Sequence, residues 1–169
     1  MSSTTQAALY WGSLDSPVGH VAVASDGVAI VQVAWSEHAP MDHPTDPLLT
    51  EALAQLSAYF DGSLTKFDLP LGLASVSDSA RGVLHTLHAT VQFGESVTYG
   101  ELASRAQTGA DARGVGSIMG SNPLPLVIPC HRVMASDGLG GYSGGTRGNG
   151  LETKRWLLEF EGALPPTLF

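Results

Sequence analysis

One cysteine, Cys130, stands among the 169 residues of this chain. The fold therefore has no internal disulfide to staple it and no cysteine-rich zinc cluster to organise it. It must rest on a buried apolar core, and at 43% hydrophobic residues the chain can build one across one or two small domains. The same residue narrows the chemistry. It lies in Ile128-Pro129-Cys130-His131-Arg132-Val133, after the apolar run Leu124 to Ile128 and directly before a histidine. A lone thiol is either inert packing or a nucleophile, and a nearby histidine is a common means of making the reactive thiolate at neutral pH. Proline, glycine and polar residues crowd around this one, which makes it unlike ordinary core filler.

The flanking segments supply turns and two helix starts. Downstream, Ser136 to Gly145 holds five glycines, which means tight turns or a backbone that something approaches closely. It has neither the lysine of a phosphate loop nor a strand-borne dinucleotide fingerprint. Upstream, Asn122-Pro123-Leu124-Pro125 is a stiff extended connector. Thr98 followed by Glu101 is a capping box for a helix that Gly109 can end. Asp111 can cap a second helix from Ala112 to about Gly120. Two short helices around a glycine turn read as a helix-turn-helix.

Along the rest of the chain, residues 7 to 35 read as strands rich in β-branched residues, Val28 among them, with a hairpin turn at Ser25-Asp26-Gly27. Three prolines make 37 to 47 a loop. Leu49, Leu53, Leu56 and Phe60 recur at helical spacing, and Asp61-Gly62 ends that helix. Phe67 to Leu73 reads as a short strand and Ala74 to Ser79 as a linker. Helices are expected from Asp78 to Val91 and from 150 to 161. The expected domains are 1–77 and 78–169. Net charge is −8. The acidity sits in residues 1 to 79, where nine carboxylates face Lys66 alone. Residues 80 to 169 are neutral and include Arg105, Arg113, Arg132, Arg147, Lys154 and Arg155. That is not a basic patch of the usual nucleic-acid-binding strength. With no secretory leader and no long apolar run, a soluble cytoplasmic protein is expected, and the free thiol agrees with a reducing compartment.

Over about residues 93 to 162 the sequence resembles the O6-alkylguanine-DNA alkyltransferases, which repair alkylated guanine. The motifs are Arg113-Gly114-Val115-Gly116, Pro129-Cys130-His131-Arg132-Val133, Gly141-Tyr142-Ser143-Gly144-Gly145, and Lys154-Arg155-Trp156-Leu157-Leu158 leading to Glu161-Gly162. Their order and spacing make the likeness specific; any one alone would be weak. The resemblance implies an α+β fold: a small N-terminal ribonuclease-H-like sheet-plus-helix domain, then a helical C-terminal domain with a helix-turn-helix.

It also implies a single-use reaction in which Cys130 takes an alkyl group from O6 of guanine. His131 would act through a water, oriented by Glu161, with Glu159 facing elsewhere on the helix. On this reading the thiol should titrate below an ordinary cysteine. Tyr99 would donate to N3 of the leaving guanine. The backbone of Val133, with Tyr142, Ser143 and Met119, would shape the guanine pocket. Arg113, with the small Ala112 and Gly114 beside it and Thr98 near the backbone, would enter the minor groove and fill the gap left by a flipped nucleotide. Asn122 would tie the helix pair to the cysteine loop. No cofactor and no metal are implied, and the partner is double-stranded DNA acted on by a monomer. Ala80 and His85 depart from the aromatic residues usual in the helix before Tyr99, and the loop 146 to 153 looks longer than usual. Two other classes stay open: a module that binds alkylated bases without chemistry, and a Cys-His-Glu hydrolase that turns over.

Overall fold

A computed structural model describes residues 8–37 and 46–165. The first half is a three-stranded antiparallel sheet in the order β1 (Tyr10–Ser16), β2 (Gly19–Ser25), β3 (Ile30–Trp35), covered by helix α1 (Pro47–Phe60). The central strand is buried along both faces from Val21 to Ser25. Its register sets Leu14 opposite Val21 and Val23 opposite Val33. The Asp26 carboxylate closes the β2–β3 turn by accepting from the amides of Val28 and Ala29, both at 2.8 Å. Val28 therefore sits exposed at the turn and is not a strand residue. Helix α1 starts at a side-chain cap, with Asp46 accepting from the Leu49 amide and Pro47 in the first turn. Most of the expected proline loop, residues 38 to 45, lies outside the described residues.

The stretch Phe67 to Leu73 is not a strand. It makes one parallel bridge, Leu71 to Ile30, with the Ile30 amide bonded to the Pro70 carbonyl. Pro70 has no amide hydrogen to carry a ladder further. The segment instead sinks Phe67, Leu69 and Leu73 into the core.

The second half is helical: α2 (Asp78–Thr90), α3 (Tyr99–Ala106), α4 (Ala112–Gly120) and α5 (Gly150–Phe160). The capping reading holds, since Thr98 Oγ accepts from the Glu101 amide and Asp111 from the Gly114 amide. Helix α3 stops two residues earlier than the glycine signal placed it, because Gln107 takes the left-handed cap conformation with φ of 52° and Gly109 follows in the turn. Two short strands unforeseen in the sequence, β4 (Val97–Thr98) and β5 (Val133–Met134), pair in parallel. Helix α5 begins at Gly150, where the sequence placed its start, so the segment from 150 to 153 is helical. Buried apolar side chains run without a break from Val21 and Val23 through Leu56, Leu84 and Val115 to Leu157. Among the described residues no helix is long and apolar enough to cross a membrane.

Candidate active site

Segments far apart in the chain meet at Cys130. The connector is buried from Leu124 onward and delivers Cys130 into the first position of a short 3-10 turn, Cys130–Arg132. Asn122 secures it. Its side-chain amide donates to the Ile128 carbonyl at 3.0 Å, and its oxygen accepts from the Leu124 amide at 2.9 Å. The β4–β5 pairing sets Val97 opposite Val133, so the start of α3 lies alongside the turn. Tyr99 and Cys130 thereby line one cavity of about 270 Å³, together with Gly116, Met119 and Gly120 from α4 and Gly141, Tyr142 and Ser143 from the glycine-rich loop. Of the expected pocket residues, Met119, Tyr142 and Ser143 form its walls. Val133 stands behind them, fully buried.

The loop is held from two sides. Lys154 of α5 is completely buried and donates to the carbonyls of Val133 at 2.7 Å and Gly141 at 3.0 Å. The Tyr142 ring meets Trp35 of β3 edge-on, with centroids 6.1 Å apart. A Cβ at Gly144 would stand 2.7 Å from both rings, so glycine is required there by this close packing.

His131 is wholly buried, and its Nε2 lies 2.8 Å from Glu161 Oε2. Its Nδ1 is also buried and meets no partner among the described residues. Glu161, at the C-terminal cap of α5, collects further donors. Arg132 is bidentate on it, Nε to Oε1 at 2.8 Å and Nη2 to Oε2 at 3.0 Å, and its Nη1 donates to the Val91 carbonyl at 2.8 Å. The Tyr59 hydroxyl of α1 donates to Oε2 at 2.6 Å. Burial pushes the Glu161 carboxyl up, but His131 and Arg132 outweigh it and hold the group at about 2. Burial pushes the His131 imidazole below its ordinary value despite Glu161, which favours the neutral ring.

The thiol departs from expectation. Burial pushes Cys130 above its ordinary value, against the opposing pull of the Asn122 side chain, the Lys154 ammonium and nearby backbone amides. Desolvation penalises the charged sulfur more than its neighbours favour it, so the fold favours the thiol over the thiolate at rest. Burial lowers Lys154 to about 8, and the charge on an ionised Cys130 opposes that fall. Burial likewise raises Tyr99 and Tyr142, so both phenols keep their protons.

Arg113 and Ala112 are exposed at the start of α4, and Gly114 completes the Asp111 cap. Gly116 and Met119 of the same helix line the cavity, so Arg113 stands within about 10 Å of it along the helix axis. Thr98 is half-buried and caps α3. Three residues escaped the sequence reading as members of the site: Tyr59, Arg132 and Lys154. Arg132 and Lys154 stood in the family motifs and in the charge count without a role, and both are turned inward.

Residues 79–163 match the DNA binding domain and residues 9–73 the ribonuclease-like domain of 6-O-methylguanine DNA methyltransferase. The methylated-DNA–protein-cysteine methyltransferase of Mycobacterium tuberculosis is 36% identical over 170 residues, covering 95% of this chain and 99% of that protein. The protein of that name from Mus musculus is 36% identical over 171 residues, covering 88% and 79%. Among solved structures, the Mycobacterium tuberculosis O6-methylguanine methyltransferase superposes with a TM-score of 0.76 at 34% identity, covering 95% of this chain and 96% of that one. The Mycobacterium tuberculosis protein solved in complex with DNA superposes at 0.77 with 35% identity, covering 90% and 92%.

Proposed function

The chain belongs to the 6-O-methylguanine DNA methyltransferase family, and from that membership we propose that it repairs duplex DNA by drawing the alkyl group of an O6-alkylguanine irreversibly onto its own Cys130. The observation that carries this reading is one juxtaposition: the sole thiol opens into a cavity shared with Tyr99, while the residue after it is a buried neutral imidazole tied to an ionised carboxylate.

The thiol is protonated at rest, so its proton leaves as attack begins. His131 Nδ1 is the acceptor, reached through one water, and Glu161 stabilises the imidazolium that forms. The sulfur attacks the alkyl carbon. A carbon–sulfur bond forms as the carbon–oxygen bond to guanine breaks. Tyr99 donates to N3 and stabilises the charge that the leaving guanine takes on. Lys154, beside the sulfur and bound to the pocket loop, favours the anion that develops there. The product is a thioether that nothing in the site cleaves, so each chain reacts once and needs no cofactor.

The target atom lies inside a stacked duplex, so the nucleotide rotates into the pocket formed by Met119, Tyr142, Ser143 and the backbone near Val133. Arg113, flanked by Ala112 and Gly114, enters from the minor groove and holds the gap, with Thr98 near the phosphate backbone. Asn122 couples the helix pair to the cysteine loop. Residues 78–169 carry this work as a domain, supported by residues 1–77, in a cytoplasmic monomer. The test is the intact mass after mixing with a duplex holding one O6-methylguanine. One methyl per chain, on the peptide containing Cys130, is expected. Repeated turnover or a label elsewhere overturns the reading.

A further inference from the structure

Glu161 Oε2 is shared by three donors, and one comes from the first half of the chain. Tyr59 lies on α1, completely buried, 102 residues before the carboxylate that it meets at 2.6 Å. Its ring is fixed by Phe60 and Phe67 from its own half and by Phe93 and Phe160 from the other, with centroids 5.0 to 6.1 Å away. Such a ring cannot swing aside, so the hydroxyl is held on Glu161 by packing.

The consequence is a matter of counting donors. Arg132 supplies two N–H groups and Tyr59 one O–H, and an ionised carboxylate only accepts. The contact between His131 and Oε2 must then be an N–H donated from Nε2. A neutral ring with its proton on Nε2 has a bare lone pair on Nδ1, the buried nitrogen that meets no partner among the described residues. Tyr59 also takes up part of the negative charge on Oε2. Without the hydroxyl, that charge would fall to His131 and draw a second proton onto the ring.

We propose that Tyr59 is a positioning residue for alkyl transfer: its hydroxyl holds Glu161 Oε2 so that His131 keeps Nδ1 unprotonated for the Cys130 proton. This rests on the alkyl-transfer reading above, and it ties the first half of the chain to the chemistry through one hydrogen bond. The charged and titratable groups around His131 are Glu161 and Lys154 from α5, Arg132 and Cys130 from its own turn, Tyr59 from α1, and Tyr142, whose phenol is coupled to Cys130 and Glu161. Burial and the neighbouring carboxylate both keep the Tyr59 proton in place, so Tyr59 acts as a fixed donor and does not titrate with the ring.

The experiment compares the wild-type full chain with Tyr59→Phe, which keeps the ring and deletes the hydroxyl. Two quantities are followed against pH: the rate of methyl transfer, and the ¹⁵N shifts of the His131 ring in unreacted protein. Loss of one hydrogen bond to a charged group should move the ring titration and the acid limb of the rate profile upward together, by about one pH unit. Transfer then falls roughly ten-fold on the acid side and much less above the limb. Phe67→Leu is the packing control; it should lower the melting temperature and leave both titrations in place. Equal slowing of Tyr59→Phe at every pH, with an unchanged imidazole titration, overturns the proposal and leaves Tyr59 a core residue. The same holds if Phe67→Leu reproduces the shift. A wild-type protein that takes no methyl on Cys130 overturns the functional reading instead, while the ring titration still judges the link from Tyr59 to His131.

Discussion

The surroundings of Glu161 and those of Arg113 are built on opposite terms. Glu161 is buried and accepts four hydrogen bonds from three side chains, two of them cationic or able to become so. Arg113 is exposed at the start of a nine-residue helix that is capped by Asp111 and anchored in the core by Val115 and Met119 on its other face. A buried charge has to be paired and hydrogen-bonded, and removing one partner strands the others. An exposed arginine costs little to place and little to remove. On the proposed reading, stability and proton transfer therefore share one buried network, whereas the contact with DNA is made by an exposed side chain that the core does not hold.

The sharpest way to break that contrast is Glu161→Gln. It leaves Arg132 buried without a counter-charge and His131 without its anionic acceptor. A loss of about 3–5 kcal/mol in stability is expected from denaturant titration, with methyl transfer slowed by about 10²-fold or more at a temperature where the variant remains folded. A variant of normal stability and rate would show that the network is not coupled as its geometry implies.

Arg113→Ala should do the reverse. Stability should change by less than about 0.5 kcal/mol. Reaction with a duplex should slow by about ten-fold or more, since unstacking costs a few kcal/mol that the arginine no longer offsets. Reaction with free O6-benzylguanine, which needs no flipping, should stay near normal. Tyr99→Phe sharpens the comparison, because loss of the donor should slow both substrates. Equal slowing of both by Arg113→Ala would place that residue in the chemistry.

Iodoacetamide labelling of Cys130 tests the resting state of the buried region. With the thiol pushed above its ordinary 9.0, the labelling rate should continue to climb with pH through that value, where an ordinary cysteine is already half ionised. A plateau near neutral pH would mean a resting thiolate. The smallest effect concerns the exposed region. Arg132 and Lys154 face inward, and α3 and α4 carry only Arg105 and Arg113 as cations. The slope of log affinity against log salt should therefore be shallower than about −5, corresponding to few phosphate contacts.

Much of the exposed region was legible locally. Thr98, Glu101, Asp111 and the helices they start are read within four residues, because a cap is satisfied by the next turn of the chain. Helix α1 was legible from its leucine spacing, and α5 was placed at its observed start, Gly150. Phe67 to Leu73 misled because an apolar run has no period that separates a strand from a buried coil. Tyr59 drew no reading from the sequence, since nothing within reach along the chain marks the hydroxyl as a donor.

The sequence by itself determined the chemistry on offer: one thiol, a histidine beside it, a glycine-rich loop after it and a helix pair before it. The family resemblance already paired His131 with Glu161; tertiary structure alone decided that Arg132 and Tyr59 converge on the same carboxylate. Glu161 meets Arg132, His131 and Tyr59 from 29, 30 and 102 residues away. Contacts at that separation are selected by the packing of the sheet, α1 and α5 around one core. The direction of the Cys130 shift was decided there as well, because it depends on how much water the fold removes from the sulfur, and neighbours along the chain do not set that quantity.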